Sequence, residues 1–171
     1  MEEIEVKILD INIEKIVEKL VKLGAKKIFD GPMKSVYLDL RQELRNSNKI
    51  LRIRQKGEKC IITLKIKKED SEAKVNDEFE TEIKDFQRSM LIFENLGFKE
   101  FFADFKKRIS YQFKNSLVEI DIYDEIPPFL EVESPTKEEL KEVVSLLGYS
   151  MDQTKSWTGK ELLDLYNSKF K

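Results

Sequence analysis

The chain has 171 residues, with 31 Lys and Arg against 33 Asp and Glu, so its formal net charge is −2 although 37% of its residues are charged. An apolar share of 40%, with 11 Phe and 5 Tyr, is enough for a core and argues against wholesale disorder, and the length fits one domain, 1–171. With no His and a single Cys, Cys60, the chain excludes Ser–His–Asp and Cys–His nucleophilic sites, His-ligated zinc, iron or copper, and internal disulfides.

In chain order, alternation first predicts a strand near 2–9. Asn12 then caps a helix from Ile13 to Leu23, with Ile13, Ile16, Val17 and Leu20 on one face and Gly24 at its end. Strands follow near 35–40, 49–56 and 59–68, the last two joined by a Lys56-Gly57-Glu58 turn. The stretch from Lys67 to Lys74 reads as a mobile loop able to close over a substrate. A strand near 76–84 leads to a helix, Phe86 to Leu96, capped by Asp85 and ended by Gly97. Strands near 104–113 and 117–124 flank an Asn115-Ser116 turn, and Pro127-Pro128 precedes a strand near 129–134. Thr136 and Glu139 form a capping-box pattern for a third helix ended by Gly148, and Leu162, Leu163, Leu165 and Tyr166 mark a fourth that frays. The six Gly form neither GxGxxG nor GxxxxGK[ST], which excludes Rossmann and P-loop sites. No apolar run approaches the roughly 20 residues of a membrane span, and the acidic start is unlike a signal peptide, so no membrane partner and a cytoplasmic location are expected.

A weak internal repeat relates Leu23-Gly24-Ala25-Lys26 to Leu96-Gly97-Phe98-Lys99, each leading to a strand with a Tyr, Tyr37 or Tyr111. Two β-α-β-β-β halves give about eight strands, mostly antiparallel because connections are short.

Side-chain alternation carries the functional signal. Glu3, Glu5 and Lys7 oppose Ile4, Val6 and Ile8; Arg52 and Arg54 oppose Leu51 and Ile53; Thr63, Lys65 and Lys67 oppose Ile62, Leu64 and Ile66. Glu78, Glu80 and Glu82 share a face, as do Lys106, Arg108, Ser110 and Gln112, Glu119 and Asp121, and Glu131 and Glu133. A solvated sheet face is the plain reading of any one strand. Seven strands of fully ionised faces, some cationic and others anionic, point instead to a closed sheet with its apolar side under helices and its charged side inward. Eight strands leave room for side chains or one small ligand. Arg forks suit phosphate oxygens, and carboxylates suit a hard divalent cation such as Mg2+ or Mn2+. At an effective dielectric of 20, two unit charges about 4 Å apart interact by roughly 4 kcal/mol, so such an interior shifts pKa values or holds water when empty.

These residues resemble the CYTH superfamily, the triphosphate tunnel metalloenzymes. Glu3-Ile4-Glu5-Val6-Lys7 fits the ExExK signature; Leu51-Arg52-Ile53-Arg54, Thr63-Leu64-Lys65, Glu78-Phe79-Glu80-Thr81-Glu82, Lys106-Lys107-Arg108-Ile109-Ser110-Tyr111, Glu119-Ile120-Asp121 and Phe129-Leu130-Glu131-Val132-Glu133 follow in family order. Lys155-Ser156-Trp157 with Leu162-Leu163 is similar to the tail of the class IV adenylate cyclase subgroup. The resemblance implies an α+β fold, an eight-stranded antiparallel β-barrel or tunnel with helices packed outside. It implies metal ligation by Glu3, Glu5, Glu131 and Glu133 with help from Asp121. Phosphate binding falls to Arg52, Arg54, Lys65, Lys106 and Arg108, and catalytic phosphate-binding or nucleophile-positioning roles to Lys7 and Lys155. Lys67, Glu80 and Glu82 lie in the tunnel with roles left open. Departures touch the organic part of the substrate: Asn76 or Val75 stands where an Arg is frequent, Glu125-Ile126-Pro127-Pro128 replaces a Gly-rich turn, and Trp157 replaces a Tyr.

The expected activity is metal-dependent, with Mg2+ or Mn2+, on a nucleoside triphosphate or an inorganic or organic triphosphate. Conversion of ATP to cyclic AMP and pyrophosphate comes first, and triphosphate hydrolysis (tripolyphosphatase or thiamine triphosphatase-like) is the alternative. A non-catalytic nucleotide or polyphosphate-binding module is a rival that the carboxylates disfavour. Net charge disfavours a nucleic-acid partner, and a homodimer stays open. Cys60 reads as a packed residue, and Phe98, Phe101, Phe102 and Phe105 as packing between helices and barrel.

Overall fold

A computed structural model describes residues 2–68 and 73–169, with the side chains of 2–3 and 167–169 left aside. The elements run β1 (Glu2–Ile8), α1 (Ile13–Lys22), β2 (Lys26–Asp39), α2 (Glu43–Asn46), β3 (Lys49–Lys56), β4 (Lys59–Lys68), β5 (Lys74–Ile83), α3 (Phe86–Asn95), β6 (Lys99–Phe113), β7 (Ser116–Ile122), β8 (Phe129–Ser134), α4 (Lys137–Leu146), a 3-10 turn (Met151–Gln153), β9 (Thr154–Lys155) and α5 (Gly159–Lys169). Among the described residues the strands hydrogen-bond in the order β5-β4-β3-β2-β6-β7-β8-β1-β9, and β5 also pairs with β1. Eight strands are thereby joined in a closed ring, the α+β antiparallel barrel expected from the sequence. No helix of the described residues is long and apolar enough to cross a membrane.

Two compact units divide the described residues, one within 2, 31–68 and 76–107, the other within 3–30, 73–75 and 108–169; β1, β2, β5 and β6 contribute to both. In the second unit, Ile4, Val6 and Ile8 of β1, Val118 and Ile120 of β7, and Leu130 and Val132 of β8 pack in one core with Ile16 and Leu20 of α1 and Leu140, Val143 and Val144 of α4. Burying each such side chain contributes about 1.5–3 kcal/mol relative to exposure. In the first unit, Val36, Leu38, Leu51, Ile53 and Cys60 meet Phe86 and Met90 of α3, with Phe93 and Phe98 against them. In both units the helices cover the apolar strand faces and leave the charged faces on the other side.

Helix boundaries follow their capping chemistry. Asn12 and Asp85 accept hydrogen bonds from the N–H groups of Lys15 and Arg88, each at 2.9 Å. Gly24 and Gly97 take φ of +77° and +93°, the left-handed ends that the helices need. Thr136 accepts from Glu139 N–H at 3.2 Å, but the Glu139 carboxylate turns to Asn115 N–H and Ser116 Oγ, so the cap is tied to the β6–β7 turn.

Several expectations are corrected. β2 begins at Lys26, not near 35, and β6 at Lys99, not near 104. Their early halves are largely exposed and lack the buried–exposed alternation that marks a strand; pairing between β2 and β6 holds them extended. Lys67 and Lys68 end β4 and Lys74 begins β5, so the expected loop shrinks; residues 69–72 lie outside the described residues. Ser116 starts β7 and does not belong to the turn. α5 is anchored: Leu162 is buried with Tyr123, Ile126 and Phe129, and Tyr166 Oη donates to Asp10 at 2.9 Å. Phe105, expected to pack between helix and barrel, is 68% exposed.

α2, absent from the sequence reading, is organised by Asp39. Its buried carboxylate accepts from the backbone N–H groups of Leu44 at 3.0 Å and Arg45 at 3.4 Å and from Arg45 Nε at 2.6 Å. Burial pushes its pKa up, but the Arg45 guanidinium and the two backbone donors outweigh that and hold it below the usual 3.8. A carboxylate depressed on folding adds stability that is present above pH 3.8 and lost as pH falls through the lower folded value. Asp39→Asn should therefore lower the urea midpoint at pH 7, and the gap to the unaltered chain should narrow below about pH 3.8. A pH-independent gap would place the effect in packing.

Candidate active site

On β3, Leu51 and Ile53 enter the apolar core, so Arg52 and Arg54 are placed on the opposite face. Antiparallel register sets Ser35 across from Arg54, and Tyr37, Arg52 and Thr63 in one row. Arg52 donates to Thr63 Oγ1 at 3.3 Å and lies 3.7 Å from Glu78, which holds Lys65 at 3.1 Å. Thr63 donates to Glu80 at 3.3 Å. Lys106 and Asp104 are buried on β6. The first unit thus gathers Arg52, Arg54, Lys65 and Lys106 on charged strand faces, three of them buried. Three others of the expected set stand farther out: Glu80 and Lys67 are exposed, and Glu82 is exposed on an ion pair with Lys59 at 2.7 Å.

The second unit collects the carboxylates. Lys7 Nζ lies 3.0 Å from Glu5 and 2.7 Å from Glu131, and all three sit on strands whose other faces form the core. Lys74 adds a second ammonium to Glu5 at 2.8 Å. Glu5 faces Glu133 across β1–β8, a like-charge pair that these cations offset. Burial alone would lower the Lys7 pKa, but Glu131 and Glu5 outweigh it and drive it upward. Lys7 is therefore a fixed cation and no general base.

Arg108 is the hub of the same unit. Its Nε and Nη2 hold both oxygens of Asp121 at 2.6 and 2.7 Å, Nη1 bonds Glu119, and Nη2 reaches Glu131 at 3.2 Å. Ser110 donates to the other oxygen of Glu119 at 2.7 Å. Burial opposes the guanidinium charge, yet Asp121, Glu119 and Glu131 raise its pKa further above its ordinary value. Lys155 of β9 pairs across from Lys7; its side chain is exposed, with Nζ 5.7 Å from the centre of the Trp157 ring.

Glu3 stands on β1, but its side chain lies outside the described residues. Among the described residues no three carboxylates stand together as a ready metal cage. Mg2+ commonly takes one or two carboxylates, waters and substrate phosphate oxygens, so an oxygen-only pair such as Glu5 and Glu131 fits its chemistry. The Lys7 ammonium that bridges this pair shows that the spot favours positive charge.

Four residues on these faces escaped the expected set. Lys74 and Asn76 continue the Glu78–Glu80–Glu82 alternation back along β5, which was the available signal. Glu119 was visible as an alternating acid. Ser35, fully buried with Oγ lacking a hydrogen-bond partner among the described residues, carried no signal of its own.

The sequence profile of the CYTH domain matches residues 1–155. A Methanocaldococcus jannaschii protein named "Putative adenylate cyclase" is 33% identical over 160 residues, covering 88% of this chain and 90% of that protein. The solved structure of a Pyrococcus horikoshii protein superposes with a TM-score of 0.79 at 28% identity, covering 94% of this chain and 98% of that one. A Hippeastrum structure, described as a "Putative adenylyl cyclase" that "reveals a dominant" triphosphatase activity, shares the fold at a TM-score of 0.67 and 17% identity, covering 98% and 96% of the two chains. With the profile spanning most of its length, the chain belongs to the CYTH domain family.

Proposed function

We propose that residues 1–171 act as one divalent-metal-dependent enzyme on a triphosphate, with conversion of ATP to cyclic AMP and pyrophosphate as the first reading. The observation that supports it is the number of charged side chains buried on strand faces turned away from the apolar cores: Arg52, Lys65, Asp104 and Lys106, and likewise Glu5, Lys7, Arg108, Glu119 and Asp121. Burying charge is costly even in pairs, and a metal–triphosphate ligand, which brings both signs, can exchange with these internal partners. The name of the M. jannaschii relative favours the cyclase reading. Hydrolysis of a triphosphate is the second reading, favoured by the activity stated for the Hippeastrum protein.

In this reading Arg52, Arg54, Lys65 and Lys106 hold phosphate oxygens and spread the charge that develops as a phosphorus–oxygen bond breaks. Lys7 keeps its proton at Nζ and serves as a fixed positive charge, with Lys155 as a second cation beside it in register. Arg108 joins the phosphate-binding set and Asp121 assists the metal ligands, and the two engage one another. Glu3, Glu5, Glu131 and Glu133 would hold Mg2+ or Mn2+, which supplies Lewis-acid neutralisation of phosphate charge. For cyclisation the ribose 3′-hydroxyl attacks the α-phosphorus, its proton is released, and pyrophosphate leaves.

Phosphorus-31 NMR with Mg2+ separates the readings. Cyclic AMP plus pyrophosphate from ATP is the expected result. Orthophosphate, above all from inorganic triphosphate, would replace the cyclase reading with the hydrolase one, and no turnover of either would sink the cyclase reading and move the assignment to another organic triphosphate or to a non-catalytic binding module.

Arg54→Ala should weaken triphosphate binding about 10- to 100-fold, because charge-assisted hydrogen bonds contribute about 1.5–3 kcal/mol. Lys68→Ala should change it less than about threefold, since Lys68 sits partly exposed with Asp77 at 2.8 Å. Equal losses by calorimetry would remove the distinction between these strand faces.

A further inference from the structure

On β5 the neighbour Val75 packs into the apolar core, which turns Asn76 to the face shared by Lys74 and Glu78. Lys74 holds Glu5, and Glu78 holds Lys65 and Arg52. Asn76 differs from both neighbours. Its side chain is fully buried, and among the described residues neither Nδ2 nor Oδ1 has a hydrogen-bond partner. A buried amide left in this state is costly, and native structures keep one where something else completes it. Asn76 stands on the polar face and Val75 on the apolar one, in the stretch where the resembled family frequently carries an Arg.

The amide narrows what that completing group is. An Arg offers donors only and suits phosphate oxygens, which only accept. Asn76 offers a donor and an acceptor side by side. A bare phosphate chain satisfies Nδ2 but sets its oxygens against Oδ1. A hydroxyl, or a base edge with an N–H beside a ring nitrogen, satisfies both. We propose that Asn76 is a specificity-determining residue that contacts the organic part of the substrate, so that this chain favours a nucleoside triphosphate over inorganic triphosphate. This rests on the triphosphate reading above and adds to it the choice of substrate class.

The test is calorimetric titration of the full chain with ATP and with inorganic triphosphate at matched Mg2+, repeated for Asn76→Ala and for the similarly shaped, apolar Asn76→Leu. Both variants should lose about tenfold or more in ATP affinity and less than about twofold for inorganic triphosphate. Their thermal midpoints should stay level or rise, because an unsatisfied polar group has been removed. A residue needed only for structure would lower the midpoint and weaken both ligands together. Equal losses for the two ligands, or no loss for ATP, would overturn the assignment while leaving the triphosphate reading intact. Failure of the unaltered chain to bind either ligand would overturn that reading, and Asn76's role with it.

Discussion

Replacing Arg108 with Ala is expected to destabilise the chain by about 3–5 kcal/mol, read from the urea midpoint at neutral pH. The guanidinium is 2% exposed, and its partners Asp121 and Glu119 are 0% and 4% exposed. Three carboxylates share it, and Asp121 commits both oxygens to it. Removing the cation takes from all three the guanidinium that offsets their mutual repulsion, although Glu131 keeps Lys7 at 2.7 Å. The net worth of such a cluster is smaller than this loss, because forming it already required desolvating every member. Arg108→Lys separates charge from geometry. An ammonium retains the charge but cannot span Asp121, Glu119 and Glu131 with a fixed fork, so it should recover only part of the loss. A loss under about 1 kcal/mol for Arg108→Ala would mean that these acids do not depend on Arg108.

Arg108 also shows where sequence reasoning stops. Alternation placed it correctly on the charged face of β6, and the resemblance assigned it to phosphate. Its position cannot reveal which partner a cation takes once the strands close, and here it takes Asp121, Glu119 and Glu131. The strand faces themselves were legible because period two is a local property: Ile4, Val6 and Ile8 enter the core, and Glu5 and Lys7 do not. The caps Asn12, Asp85 and Thr136 were legible for the same reason. The first halves of β2 and β6 were not, because their extended backbone comes from pairing with a strand far along the chain while their side chains stay largely exposed. Asn76 stood out only as a departure from a family pattern. Its burial and missing partners are tertiary facts, which no spacing encodes.

Glu5→Gln is expected to lower metal-dependent turnover about 100-fold or more while the chain stays folded. The two effects part because Glu5 has two kinds of work. Structurally it accepts from Lys7 at 3.0 Å and Lys74 at 2.8 Å through one oxygen, and a Gln carbonyl accepts in the same place. Lys7 also keeps Glu131 at 2.7 Å, so its charge stays compensated. Lys74 is left with a neutral acceptor, a modest loss. In the proposed role, by contrast, the negative charge of Glu5 is what draws a divalent cation, and an uncharged amide cannot replace it. Mn2+ titration without substrate should show binding at least about tenfold weaker, so metal loss is read independently of catalysis. High Mg2+ should restore part of the turnover if the lesion is affinity. A folded Glu5→Gln chain that binds Mn2+ and turns over as the unaltered chain does would remove Glu5 from the metal site and leave it as the partner of Lys7 and Lys74.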